Sequence, residues 1–484
     1  MLKKTLLFLL VAIGGVLAVM LYNTLQFDSL QLTEVPESSV YDFDEDAAVT
    51  RFSESLRYET ISEEPDVVAE NEFIAFHEFL EESFPVVFEE LEIERVNDYS
   101  LLMKWEGTNE DLNPVLLMAH QDVVPAESPQ EWTQPPFEGV VEDGVVWGRG
   151  AVDNKNGVMG ILEAVTTLLE TGHQPERTIK LAFGHDEEVG GMSGAREIAD
   201  QLEQRGTELE FVLDEGGYIT EGELPVDRPV AVVGTSEKGF LSLELVVSER
   251  GGHSSMPPQE TAIGILSTAI HKLENNPFPA SISGPARDLF RYTGPEMSFG
   301  EQFILSNLWL TEPLVTRMFA GTPATNAMMR TTAAPTMMQG SDKDNIMPSE
   351  AKIVVNFRIM PGESVESVKE YVRETIDDDR IELRNHRGYA FEPSPVSEAG
   401  TEQFDLLHQT IRQIYPDIYV APFLMVAATD SRHFTELSDH VYRFIAADLN
   451  EAESGGFHAV DEQLRTEVYL RMIRFYQQLM INVG

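Results

Sequence analysis

Apolar and polar positions change their rhythm several times along the chain, and each rhythm predicts a different kind of element. Behind Lys3 and Lys4, the stretch from Thr5 to Phe27 carries no charge, and its core from Leu6 to Tyr22 is almost wholly apolar. Signal-peptide apolar regions run about 7 to 15 residues and spanning helices about 20, so this run is nearer an anchor, with cleavage after Ala18 as the alternative. Basic residues before it and acidic ones after it (Asp28, Glu34) favour a cytoplasmic N-terminus with the bulk of the chain exported. From Gln31 to Pro65 the sequence is acidic and weakly periodic, as suits a tether leading into a first domain.

Helical spacing begins with Phe73, Phe76 and Leu80 in Glu72 to Phe84, and a strand is expected at Leu101 to Trp105. Pro114 to His120 is a continuous apolar run, the mark of a strand covered on both faces. Similar strands are expected at Thr178 to Phe183 and in LEFVLDEGG, ending at Asp214, with an amphipathic helix from Gly157 to Leu169 between. Three strands thus end in His or acids, and sites in such sheets lie at strand ends. This strand and helix alternation predicts an α/β fold.

After Gly234 the pattern changes. KGFLSLELVVSERGGHSSM alternates, a helix is expected from Thr261 to Leu273, then KIVVNFRIMP, a helix at Val365 to Ile376 and a strand near Ile381. That β-α-β-β-α-β order is typical of a small two-layer domain. Asn276 to Gln339 has little periodicity and reads as an elaboration within it. From Gly400 the α/β rhythm returns, with a helix at Gln403 to Ile414, a strand at Tyr442 to Ala447 and a helix from Leu464 to Leu479. The simplest account is one domain inserted into another.

Composition narrows the function classes. A chain of 484 residues is too long for one ordinary core. With 34 Lys and Arg against 82 Asp and Glu, the net charge of -48 should repel nucleic acid. Cysteine is absent, which excludes thiolate metal ligands. What remains is oxygen and imidazole chemistry, and five stretches carry it: AHQDVV at Ala119, GRGAVDNK at Gly148, HDEEVGG at His185, LDEGG at Leu213 and FHAVDE at Phe457. Imidazoles, carboxylates and a shared anionic bridge are what a pair of zinc ions needs, so together they read as a two-metal hydrolase.

These motifs, with the run HQDVVP...W...PPFEG...WGRGAVDNK, resemble the aminoacylase and carboxypeptidase family of di-zinc amidohydrolases. The resemblance is nearest to the branch of carboxypeptidase S and the N-fatty-acyl-amino-acid synthase/hydrolases. It implies a zinc-peptidase catalytic domain with a mixed sheet flanked by helices, plus an inserted two-layer α+β lid and dimerisation domain. The boundaries expected are 1–27 for the anchor or signal peptide, 28–40 for the tether, 41–235 and 398–484 for the catalytic domain, and 236–397 for the insertion.

The resemblance also implies roles. Asp153 is similar to the bridging carboxylate, with His120 and Asp214 completing one zinc site and Glu188 and His458 the other; Glu215, beside Asp214, is the alternative ligand. Asp122 resembles the acid that orients His120, and Glu187 the general base acting on the water between the metals. His253 resembles a histidine that stabilises the tetrahedral oxyanion, supplied in dimeric relatives by the other subunit. Asn345, Arg358 and Arg432 resemble groups that hold the substrate and its free carboxylate, for which arginine offers a planar fork of donors. For Arg358 taken alone, a structural ion pair is an equal alternative. Asn154 stands where the family often has a second Asp, after a peptide that is cis in the family.

The expected activity is zinc-dependent carboxypeptidase, with N-acyl-amino-acid amidohydrolase as the enzymatic alternative and a noncatalytic binding domain as the third reading. Two zinc ions per chain are expected, with cobalt or manganese able to fill the same donors. The partners expected are a small peptide or N-acyl amino acid, a membrane through the N-terminal segment, and a second copy of the chain as a homodimer.

Overall fold

The computed structural model describes residues 2–65 and 67–484. Its main sheet has eight strands in the spatial order Glu92–Val96, Ser100–Trp105, Ile179–Gly184, Val115–His120, Val212–Thr220, Val441–Asp448, Val230–Glu237 and Tyr419–Met425. The four from Ile179–Gly184 to Val441–Asp448 run parallel, while antiparallel pairings flank them, so the sheet is mixed.

Every residue of Val115–His120 is buried, and its neighbours explain the unbroken apolar run. Val115, Leu117 and Ala119 pack into one core with helices Lys155–Glu170 and Thr466–Val483. Leu116 and Met118 face the other way, onto Ile198 and Leu202 of helix Ala195–Gln204. Burying an aliphatic side chain of this kind contributes about 1.5–3 kcal/mol, so neither face tolerates a polar residue. At the first turn of helix Lys155–Glu170, a Cβ on Gly157 would stand 2.1 Å from Asn154 Oδ1 and 3.1 Å from the Ala119 side chain. Only glycine lets the helix sit this close to the strand end.

A second, four-stranded antiparallel sheet is ordered Thr332–Gln339, Glu350–Ile359, Gly239–Ser248, Ile381–Phe391. Helices Ala262–Asn275 and Val365–Ile376 cover one face around Leu243, Leu266, Val355 and Val372. Thr332–Gln339 is its exposed edge. Chain order within this unit is strand, helix, strand, strand, helix, strand. Two crossings join the sheets. Glu237, where the first begins, forms a buried ion pair with Arg443 (2.9 Å), and Ser394 in the second accepts the Ser236 hydroxyl and the Glu237 N–H and donates its own N–H to the Glu237 carbonyl.

Two stretches differ from the sequence-based expectation. Asn276 to Gln339 is largely helical, with Gly284–Thr293, Phe299–Leu305, Leu308–Phe319 and Pro323–Ala327, and the first of these packs on strand Tyr419–Met425 of the main sheet, outside the small domain. Its period was hidden because Leu308–Phe319 is apolar on both sides: Val315 is buried, while Trp309, Leu310, Leu314 and Met318 are exposed. The expected tether lies against the body instead of hanging free. Gln31 hydrogen-bonds Val420 and Tyr292, and Ser38, Ser39 and Tyr41 bond Gln477 and Gln478 of the last helix. The N-terminal apolar run forms helix Leu2–Leu25, whose stretch Lys3–Leu25 is long and apolar enough to cross a membrane.

Candidate active site

Strand Val115–His120 ends at His120, whose two ring nitrogens are both occupied. Nδ1 lies 3.0 Å from the Asp122 carbonyl oxygen and 3.3 Å from its carboxylate; Nε2 lies 2.9 Å from Asp153 Oδ1 and 3.2 Å from Glu215 Oε1. Asp122, wholly buried, also accepts the backbone N–H groups of Glu187 and Glu188 on its two oxygens at 3.1 Å each. One carboxylate therefore fixes the histidine and the turn that follows strand Ile179–Gly184.

Asp153 sits in the loop before helix Lys155–Glu170, and the peptide joining it to Asn154 is cis. Glu462, fully buried, accepts the N–H groups of Gly150, Val152 and Asp153 and pairs with Arg149 at 2.6 Å. The Asp153 carboxylate is thereby held with Oδ1 toward His120 and Oδ2 3.1 Å from His458 Nε2, which in turn lies 3.1 Å from Glu188 Oε2. Two donor groups result, His120 with Asp153 and Glu215, and Glu188 with Asp153 and His458, the donor atoms of each within 4.8 Å of one another.

Glu215, not Asp214, completes the first group. The strand expected to stop at Asp214 continues to Thr220, and beside Val441–Asp448 its register slips so that Asp214 opposes Arg443 while Gly217 opposes Phe444. Glu215 and Gly216 bulge between them, which re-aims the Glu215 side chain toward His120. Asp214 faces away: its oxygens accept the N–H groups of Glu215 (2.9 Å) and Ser431 (2.8 Å). Asn154 donates to Glu215 Oε2 at 2.6 Å, so an amide at this position orients a ligand candidate.

The charges are unbalanced. Burial, with Asp430, Glu215 and Glu188 nearby, pushes the Glu187 carboxyl well above the ordinary range. Burial and Asp153 push Glu188 and Glu215 each up to about 7. His458 is pushed up to about 10 by its hydrogen bonds to Asp153 and Glu188. For His120 burial opposes protonation, yet Glu215, Asp122 and Asp153 outweigh it and raise the imidazole well above its usual value. Carboxylates crowded this way call for positive charge. The donors fit divalent metal on three counts: each group offers one imidazole nitrogen with carboxylate oxygens, Asp153 presents one oxygen to each group, and Glu188 Oε1 is buried without a partner among the described residues.

The substrate-binding candidates divide. Arg432 donates to the Thr429 and Gly190 carbonyls and lies 4.7 Å over the Phe391 ring. Arg358 lies 4.9 Å over Phe240 and has no carboxylate partner among the described residues; burial lowers its pKa. Phe240, Tyr389 and Phe391 pack together between the two cations. The Tyr389 hydroxyl stands 2.9 Å from where a Cβ of Gly190 would be, and Gly190, at φ +112, ends the Glu187 to Val189 turn. Arg432 thus stands beside the turn that carries Glu187, and Arg358 is joined to it through Phe240 and Tyr389.

His253 and Asn345 are not brought to the cluster. Gly252–His253 pairs with Ile346–Met347, and Ser254 donates to the Asn345 carbonyl. This pair lies beyond the Ser248 and Glu350 end of the small sheet, whereas Arg358 opposes Phe240 at the other. Eight residues of strand, about 25 Å, separate Arg358 from Glu350. His185 and Asp186, beside the site, are structural: His185 bonds Ser100, and Asp186 accepts the N–H groups of Ser193 and Gly194. Sequence reasoning missed Glu462 and the role of Asn154. Glu462 closes the motif FHAVDE, so its signal was present; what it holds is 309 residues away, at Asp153.

Comparison with known proteins gives the family and the fold. The family model described as Peptidase family M20/M25/M40 matches residues 116–482. A Dictyostelium discoideum protein named "Probable carboxypeptidase S-like 2" is 39% identical over 483 residues, covering 97% of this chain and 92% of its own. The mouse (Mus musculus) "N-fatty-acyl-amino acid synthase/hydrolase PM20D1" is 41% identical over 415 residues, 84% of this chain and 82% of its own. Among solved structures, an M20 family metallo-carboxypeptidase from Sulfolobus solfataricus shares the fold with a TM-score of 0.63 at 18% identity, covering 90% of this chain and 99% of that one.

Proposed function

The chain belongs to peptidase family M20/M25/M40, and on that premise we propose that it is a zinc-dependent carboxypeptidase cleaving the amide bond next to a free α-carboxylate. The observation that carries this reading is the pair of donor groups sharing Asp153, with Glu187 mounted on the same Asp122 that holds His120. Ligands are His120, Asp153 and Glu215 on one side and Asp153, Glu188 and His458 on the other. Divalent ions held there supply Lewis acidity to the scissile carbonyl and to the attacking water. Glu187 takes a proton from that water onto its carboxylate and hands it to the departing amine nitrogen. Burial suits it, since a carboxyl raised toward neutrality can both accept and return the proton. Arg358 and Arg432 receive the substrate's free carboxylate.

N-acyl-amino-acid hydrolysis is the second reading. It is favoured by the similarity to the mouse N-fatty-acyl-amino acid synthase/hydrolase and by the apolar wall of Phe240, Tyr389 and Phe391 between the arginines. Both readings place a carboxylate at the same cations and differ in the acyl side. His253 and Asn345 would reach the site from a second copy of the chain in a homodimer. The N-terminal helix is read as an anchor with the catalytic part outside the cytoplasm, a cleaved signal peptide being the alternative.

The test is product analysis on matched blocked dipeptides and N-acyl amino acids, with Glu187→Gln and chelated protein alongside. Loss of a general base lowers kcat by about 10²–10⁴. Exclusive cleavage of the N-acyl series would replace the first reading by the second, and full activity in Glu187→Gln would remove the mechanism common to both.

A further inference from the structure

The N-terminal helix does not simply trail from the body; its last two turns are docked. Met20 and Thr24 are buried, the Thr24 hydroxyl lies 3.0 Å from that of Ser306, and Asn23 donates to Asn307 Oδ1 at 2.9 Å. Asn307, with no exposed surface, returns a bond from Nδ2 to the Met20 carbonyl at 3.0 Å, and the Trp309 indole donates to the same Asn307 Oδ1 at 3.2 Å. One buried amide therefore ties the helix to Trp309. Just beyond, Phe27 packs against Gly294.

From that junction helix Leu308–Phe319 presents Trp309 (58% exposed), Leu310, Pro313, Leu314, Arg317 and Met318 (62%) to solvent. At 100° per residue these positions form one continuous face about 180° wide, apolar except for Arg317. In a chain with a charge of -48, residues 302–341 contain one acid, Glu312, and two bases, Arg317 and Arg330. Glu312 is not on the exposed face; it accepts the N–H of Ile282. In an acidic protein the exposed face itself carries a single charge, the positive Arg317.

We propose that the Leu308–Phe319 face lies in the headgroup and acyl boundary of the bilayer that the N-terminal helix enters, so that the body is seated on the membrane surface and not held off it. Depth is the reason for choosing lipid over a protein partner. Lys3–Leu25 is 23 residues, about 34 Å of helix against about 30 Å of hydrocarbon. Contacts at Met20 to Thr24 therefore fall at its outer end, and Trp309, one side chain away, stands at the level where tryptophan is enriched in membrane proteins. Arg317 extends its charge from the middle of the face toward phosphate, as long basic side chains do at interfaces. The seat rests on the reading of the N-terminal helix as an anchor and is independent of how the active site is read.

The experiment uses the full chain reconstituted in phosphatidylcholine vesicles whose lipids are brominated at shallow or deep acyl positions. Subtraction of the Trp309→Phe signal isolates Trp309 among the four tryptophans. The expected result is quenching of the Trp309 component mainly by the shallow label, with little quenching by aqueous acrylamide. Adding Leu310→Glu, Leu314→Glu and Met318→Glu should reduce lipid quenching severalfold and admit acrylamide, with soluble-substrate turnover unchanged. Free access of acrylamide to Trp309 in the parent overturns the proposal. So does protection from both quenchers in particles shown by cross-linking to be dimers, which would give the face to a second copy.

Discussion

The main-sheet and small-sheet sides of the candidate site are built on opposite plans. On the main-sheet side four of the five proposed ligands are held by a buried neighbour, His120 by Asp122, Glu188 through its backbone by the same Asp122, Asp153 through its backbone by Glu462, and Glu215 by Asn154, while the exposed His458 is held through Asp153 and Glu188. On the small-sheet side Arg358 rests on an aromatic ring with no carboxylate partner among the described residues, Thr332–Gln339 is exposed, and His253 and Asn345 lie far along the strands. The chemistry is preassembled, while the means of gripping a substrate is left open. That division suits an enzyme whose electrostatics must be rigid and whose recognition is completed on closure or assembly.

The sharpest way to break the comparison is at its seam. Glu237 begins the crossing, and its Oε1 accepts from Arg443, from the N–H and hydroxyl of Thr429, and from the Ser431 hydroxyl. Glu237→Gln strands a buried cation, and chemical unfolding should show a loss of about 3–5 kcal/mol. Recovery of much of that loss in Glu237→Gln/Arg443→Met is expected; no loss in the single variant would mean the seam is not tied there. Next is Glu215→Gln, expected to weaken metal binding beyond the roughly 10–100-fold typical of a group behind the ligands, whereas Asp214→Asn stays within that range. Calorimetric titration giving the reverse order would return Asp214 to the ligand set.

On the open side, Arg358→Ala should raise KM by about tenfold to a hundredfold for substrates with a free carboxylate. The amidated analogue, already poor, should lose nothing further, and equal losses on both would make Arg358 structural. The smallest effect is thermal. Glu188 and Glu215 are raised to about 7 from an unfolded 4.5, so their contribution to stability is fully present below about 4.5 and is lost as pH rises through about 7. Chelated protein should therefore melt a few degrees lower at pH 8 than at pH 5, and metal-loaded protein should not. A chelated form that gains stability over that window would contradict the crowding of carboxylates.

What the sequence disclosed and what it hid have physical causes. The apolar run to His120 is legible because burial on both faces removes alternation. Asp214 and Glu215 could not be told apart because neighbours on a strand point to opposite faces, and a two-residue bulge decides which one meets His120. Helix Leu308–Phe319 escaped because its outward side is apolar too, which erases the 3.6-residue signal. Glu462 was visible as a residue and invisible as a clamp, since the loop it holds is 309 residues away in sequence. His253 and Asn345 carry a family pattern that the single chain does not bring to the cluster.

The two bonds from Asp122 to the 187–188 turn also have a mechanical meaning. Proton transfer depends on the spacing between base and ligand to a fraction of an ångström, and strand ends breathe by more than that. Because His120 and the Glu187 backbone are referenced to one carboxylate, a shift of the strand end carries both together and leaves their separation unchanged. Asp122 acts as a common datum: drift in the sheet moves the catalytic frame as a unit without detuning it.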